Sequence, residues 1–75
     1  MSDERSPHEQ VAAEIRAELA RQKISQTTVA IALGVSQASA SRRLSGETPM
    51  DVNDLIKLAE LLRVPVARFL PQAAA

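Results

Sequence analysis

Apolar residues recur along this chain at helical spacing, in short segments separated by turn residues. Val11, Ile15 and Leu19 form the first stripe, with Ala12 beside them. Ser6-Pro7-His8-Glu9 stands just ahead of it and has the chemistry of a helix start. Ser6 caps, Pro7 suits the first helical position, and Glu9 completes a capping box. The predicted helix runs from Pro7 to about Gln22, with Glu14, Arg16, Glu18 and Arg21 on its wet face. Glu14 and Glu18 are a like-charge pair one turn apart, which costs a little. Lys23 suits the negative end of the helix dipole, and Ile24 is expected to tuck under the next helix.

Ser25 is the next N-cap, because its side chain can accept from the free N–H groups of a helix start. Val29, Ala30 and Leu33 give the short helix that follows one apolar face. Gly34 comes after the last apolar residue, where the left-handed conformation ends a helix cheaply. Val35 then points inward and pins the corner. Ser36 caps a further helix from Gln37 to about Leu44, which is apolar at Ala40 and Leu44. Its other face reads Gln37, Ala38, Ser41 and Arg42, with Arg43 at the edge. Helix, tight glycine-containing turn, helix is the helix-turn-helix arrangement, whose second helix can enter the major groove of DNA.

Beyond it, Glu47-Thr48-Pro49-Met50 is a short loop that proline keeps out of helix. Asp51 caps a helix in which Val52, Leu55, Ile56, Leu58, Ala59, Leu61 and Leu62 cover more than one face. Such breadth marks the central packing helix, or one with a face left for a partner. A coiled-coil seam is the other reading, but the segment is too short for sustained heptads. Pro65 opens a last short helix, Val66 to Leu70, anchored by Phe69, and Pro71 stops it. The expected organisation is a disordered arm over 1–5, one domain over 6–71 and a loose tail over 72–75.

The pattern Gln26-x-x-x-Ala30-x-x-x-Gly34-Val35-Ser36, followed by Leu44 and Gly46, resembles the phage-repressor-like family of DNA-binding domains, the XRE or Cro type. The likeness extends to the flanking helices. It implies an all-α fold: a compact five-helix lambda-repressor-like domain with its helix-turn-helix at the second and third helices. It also implies double-stranded operator DNA as partner. Gln37, Ala38, Ser41 and Arg42 fall where that family reads bases: glutamine can pair with adenine, alanine can touch a thymine methyl, and arginine can fork onto guanine. Gln26 falls at the family's phosphate clamp, with Ser25, Ser36, Arg43 and Ser45 as further phosphate candidates. The chain departs from the family where a large aliphatic is usual: Ala40 is small and Arg43 is charged, while Leu44 supplies bulk one residue later. Packing through Ala40 and Leu44, against Leu19, would free Arg43 to face phosphates.

Charge complicates this picture. Nine Lys and Arg residues balance nine Asp and Glu, whereas phosphate neutralisation favours a basic protein. The distribution matters more than the sum. Between Ile15 and Gly46 stand Arg16, Arg21, Lys23, Arg42 and Arg43, with Glu18 the one acid, while acids concentrate in Asp3 to Glu14 and Glu47 to Glu60. A polarised surface with modest non-specific DNA affinity follows. A chain of 75 residues is one domain. It has no cysteine, which suits a reducing cytoplasm. The lone His8 has no nucleophile or metal ligands beside it, and both glycines are used by turns. Asp51 and Asp54 read as an exposed acidic pair favoured by a helix N-terminus. No enzyme, cofactor, metal site, small-molecule ligand or membrane association is expected.

The leading expectation is a sequence-specific transcription regulator, a phage-type or small bacterial repressor, either a minimal reader or a fragment of something longer. An antitoxin-like protein is the close alternative. A protein-interaction module using the apolar surplus of the last two helices is the alternative from another class. A weak homodimer through the C-terminal helices and a monomer on one short site both fit.

Overall fold

The computed structural model describes residues 6–70. Four α-helices and one 3-10 turn follow in order: α1 (Pro7–Gln22), α2 (Gln26–Leu33), α3 (Gln37–Ser45), α4 (Val52–Leu62) and the turn Val66–Phe69. The expected fifth helix is therefore a single 3-10 turn. Pro65 at its head lacks an N–H, and the chain leaves it in extended conformation already at Leu70. The expectations for residues 1–5, for Pro71 and for 72–75 lie outside the described residues.

Side-chain caps fix where the helices begin. Ser6 Oγ accepts from Glu9 N–H at 3.4 Å while Glu9 Oε1 accepts from Ser6 N–H at 2.9 Å, the reciprocal capping box. Ser25 and Ser36 accept from the N–H groups of Thr28 and Ser39 at 3.2 and 3.1 Å. Asp51 and Asp54 form a second capping box at the head of α4. All four helices end on a residue in the left-handed region. Two are Gly34 and Gly46, where that conformation is cheap; the others are Lys23 (φ 58°) and Arg63 (φ 59°), where it is not.

Helix α1 lies against α3, α4 and the 3-10 turn, while α2 packs on α3 and α4. The core gathers Val11, Ile15 and Leu19 of α1, Val29 and Leu33 of α2, and Leu55, Leu58 and Leu62 of α4 around Phe69. Ala30 and Ala40 are buried where α2 and α3 approach, and Leu44 is buried on the same side of α3. A methyl group is what a close crossing of two helices admits. Ile24 and Val35 pack half-buried on this core.

Two acids expected in water are instead buried. Glu18, assigned above to the wet face, accepts from Arg21 Nη2 at 2.7 Å and Gln22 Nε2 at 2.8 Å, with Arg68 Nη1 3.5 Å away. Gln22 Nε2 also donates to the Leu62 carbonyl at 2.8 Å. The cluster ties α1 to the end of α4 and to the 3-10 turn. Hydrogen bonds from Gln22 and then Arg21, aided by the charges of Arg21 and Arg68, hold the Glu18 carboxyl below its usual range against the opposing effect of burial. Asp54 is also buried, because it serves the capping box and a partner on α3 at once.

Candidate nucleic-acid interface

Helix α3 is held from three sides. Ala40 and Leu44 anchor it to the core. The Arg16 guanidinium reaches from α1 and donates to the Leu44 carbonyl, placing a cation at the helix's negative end. Arg43 Nε donates to Asp54 Oδ2 on α4 at 3.2 Å, and its Nη1 donates to Ser39 Oγ one turn back. Arg43 was expected to swing free; it is half-buried and turned to α4. The reason is that Ala40 and Leu44 already fill the core side, which sets position 43 beside the head of α4.

The remaining side of α3 carries the residues singled out from the sequence. Gln37, Ala38, Ser41 and Arg42 are all exposed. At about 100° per residue they span an arc of about 140°: Ala38 and Arg42 lie farthest from Ala40 and Leu44, while Gln37 is on the Leu44 side and stands exposed in the first turn. The structure thus brings the four base-reading candidates together. Of the phosphate candidates, Ser25, Gln26, Ser36 and Ser45 are exposed. The Ser25 and Ser36 hydroxyls are engaged as caps, and Ser45 Oγ donates to the Arg42 carbonyl at 3.0 Å.

Contacts between the start of α2 and the start of α3 join these two sets. Gln26 Nε2 donates to the Gln37 carbonyl oxygen at 3.2 Å. Gln37 Nε2 in turn donates to Thr27 Oγ1. Thr27 was not foreseen as part of the site; the one clue in the sequence is its place beside Gln26 in the first turn of α2. The first N–H groups of both helices lie near these side chains, and helix N-termini favour anions.

A helix-turn-helix family profile matches residues 15–69, well over half the chain. The chain belongs to the helix-turn-helix family. The XRE-type resemblance drawn from Gln26, Ala30, Gly34 and Gly46 is thereby shown. This helix-turn-helix chain is also similar to the crystal structure of the DNA-binding domain of BldD. The identity is 27%, over 95% of this chain and 100% of that one, with a TM-score of 0.72. Comparison with curated proteins gives no match. Among the described residues, no group of His, Cys, Asp and Glu side chains could hold a metal ion, and no helix is long and apolar enough to cross a membrane.

Proposed function

We propose that the protein is a sequence-specific DNA-binding transcription regulator, a small repressor that occupies an operator and excludes polymerase. The observation that carries this reading is the set of exposed residues Gln37, Ala38, Ser41 and Arg42 on a helix that Ala40 and Leu44 fix to the core. Family membership and likeness to a DNA-binding domain support it. In this reading α3 enters the major groove, Gln37 and Arg42 contact adenine and guanine edges, and Ala38 and Ser41 complete the footprint. Gln26, with Ser25, Ser36 and Ser45, meets the phosphates beside it, and Arg43 adds positive charge at the rim while holding α3 to α4. Such a reader works in the cytoplasm of the bacterial or phage-infected cell that holds its operator. The chemistry it performs is binding, not catalysis.

A second reading, an antitoxin-like or other protein-interaction module, is favoured by Val52 and Ile56. They lie one turn apart on α4 and are 69% and 44% exposed. The same surface would serve a weak homodimer.

Fluorescence anisotropy on a mixed-sequence duplex at two salt concentrations separates the readings. The native chain binds and weakens steeply as salt rises. Arg42→Glu abolishes binding, while Val52→Asp with Ile56→Asp leaves it intact. Arg42 is the right charge to reverse, because reversing Arg43 would face Asp54 with a like charge and damage the fold. Unchanged affinity in Arg42→Glu would overturn the assignment of the reading face.

A further inference from the structure

Among Gln37, Ala38, Ser41 and Arg42, Gln37 is the one whose side chain is held by a residue of another helix, Thr27 of α2. A glutamine on a helix surface has three rotatable bonds and on ordering loses freedom that weakens whatever it contacts. Here that freedom is already reduced before any ligand arrives. The backbone beneath the side chain is fixed as well, because Gln26 donates to the Gln37 carbonyl from the neighbouring position on α2. The amide has one acceptor and two donors. Thr27 takes one donor, which leaves Oε1 and the second N–H. With Thr27 on the N–H trans to Oε1, the remaining N–H and Oε1 lie side by side and complement adenine, which offers N6–H and N7 in the major groove. A side chain free to rotate would present either amide edge, and would discriminate less.

We propose that Thr27 is a specificity-determining residue: its hydroxyl positions the Gln37 amide so that one base pair is read with its adenine-complementary edge. This rests on the DNA-reading function proposed above. Thr27 itself touches no base in this arrangement. It acts through Gln37, from the second position of α2, and it is exposed and outside the core. Thr27→Val keeps the branched shape and removes the hydroxyl. Thr27→Ser keeps the hydroxyl.

The test is selection from a randomised duplex library with the native chain, Thr27→Val, Thr27→Ser and Gln37→Ala, followed by anisotropy on the native motif and its single-base variants. Gln37→Ala identifies the base pair that Gln37 reads, as the position whose preference it flattens. Thr27→Val is expected to reduce discrimination at that same position about three- to tenfold, the scale of ordering one long side chain. Preferences elsewhere and the salt slope stay native, and Thr27→Ser restores the lost discrimination. In the Gln37→Ala background, Thr27→Val has no further effect. Thr27→Val with native preference at that position, or weakened equally on every sequence, overturns the inference while leaving the reader intact. A native chain that enriches no motif overturns the functional reading and the inference with it.

Discussion

The Arg43–Asp54 pair decides whether α3 is held by α4 or merely lies beside it. Asp54 has three tasks. Its carboxylate accepts from Arg43 Nε at 3.2 Å, it accepts from the Asp51 N–H at 3.3 Å in the capping box, and it places negative charge at the head of α4. Both side chains are less than a quarter exposed, so water screens the pair only weakly. A charge-assisted hydrogen bond contributes about 1.5–3 kcal/mol. The capping interaction adds about 1 kcal/mol, and the dipole term about 0.3–1 kcal/mol. These overlap, so Asp54→Ala is expected to cost roughly 2–4 kcal/mol in all. Against a total of about 5 kcal/mol for a domain of this size, that is most of the stability. Arg43→Met keeps the methylene stem and removes the donors, at a cost of roughly 1–2 kcal/mol. Urea denaturation of the native chain, both single variants and the double variant gives the coupling energy directly. The geometry predicts a coupling of about 1–2 kcal/mol. A value inside the ~0.3–0.5 kcal/mol scatter of independent sites would show that the two groups do not interact, and that Arg43 is free for phosphates after all.

Other variants probe other parts of the same fold. Leu44→Asp puts an unpaired charge into the core side of α3 and is expected to abolish the cooperative melt followed by circular dichroism; a native-like melt would show that α3 has a different register. Lys23→Gly and Arg63→Gly relieve left-handed strain and are each expected to add about 0.5–1 kcal/mol, raising the melting temperature by several degrees; a lower melting temperature in both would contradict the cap geometry. Glu18 has a folded pKa below its usual 4.5. Its contribution is therefore fully present above that value and is lost as pH falls through the lower folded one. The gap in melting temperature between the native chain and Glu18→Gln should hold steady near neutral pH and close on acidification, and a gap that widens in acid would reverse the sign.

The four α-helices were legible because their signals are local. Ser6, Ser25, Ser36 and Asp51 announce the starts, the apolar spacing gives the faces, and Gly34 marks the turn. The exposure of Gln37, Ala38, Ser41 and Arg42 was legible for the same reason, since Ala40 and Leu44 are the apolar positions that anchor α3. What sequence reasoning missed depends on partners distant along the chain. Glu18 reads as a surface acid until Arg68, 50 residues on, comes alongside. Asp54 looks like a simple helix-start acid until Arg43 reaches it from α3. Position 43 is charged, which suggested solvent, yet a guanidinium with a carboxylate beside it is stable half-buried. Lys23 and Arg63 hide their left-handed conformation because neither is glycine. Thr27 escaped notice because only the crossing of α2 over α3 brings its hydroxyl to Gln37. The last element was placed correctly by Phe69 but given too much helix.

The most direct measurement is selection of the native chain against a randomised duplex library at two salt concentrations, with anisotropy on the enriched sequence. Reading by the exposed face of α3 predicts a defined motif, bound far more tightly than random duplex, with affinity falling steeply as salt rises. No enriched motif, with only weak salt-sensitive binding, would contradict it.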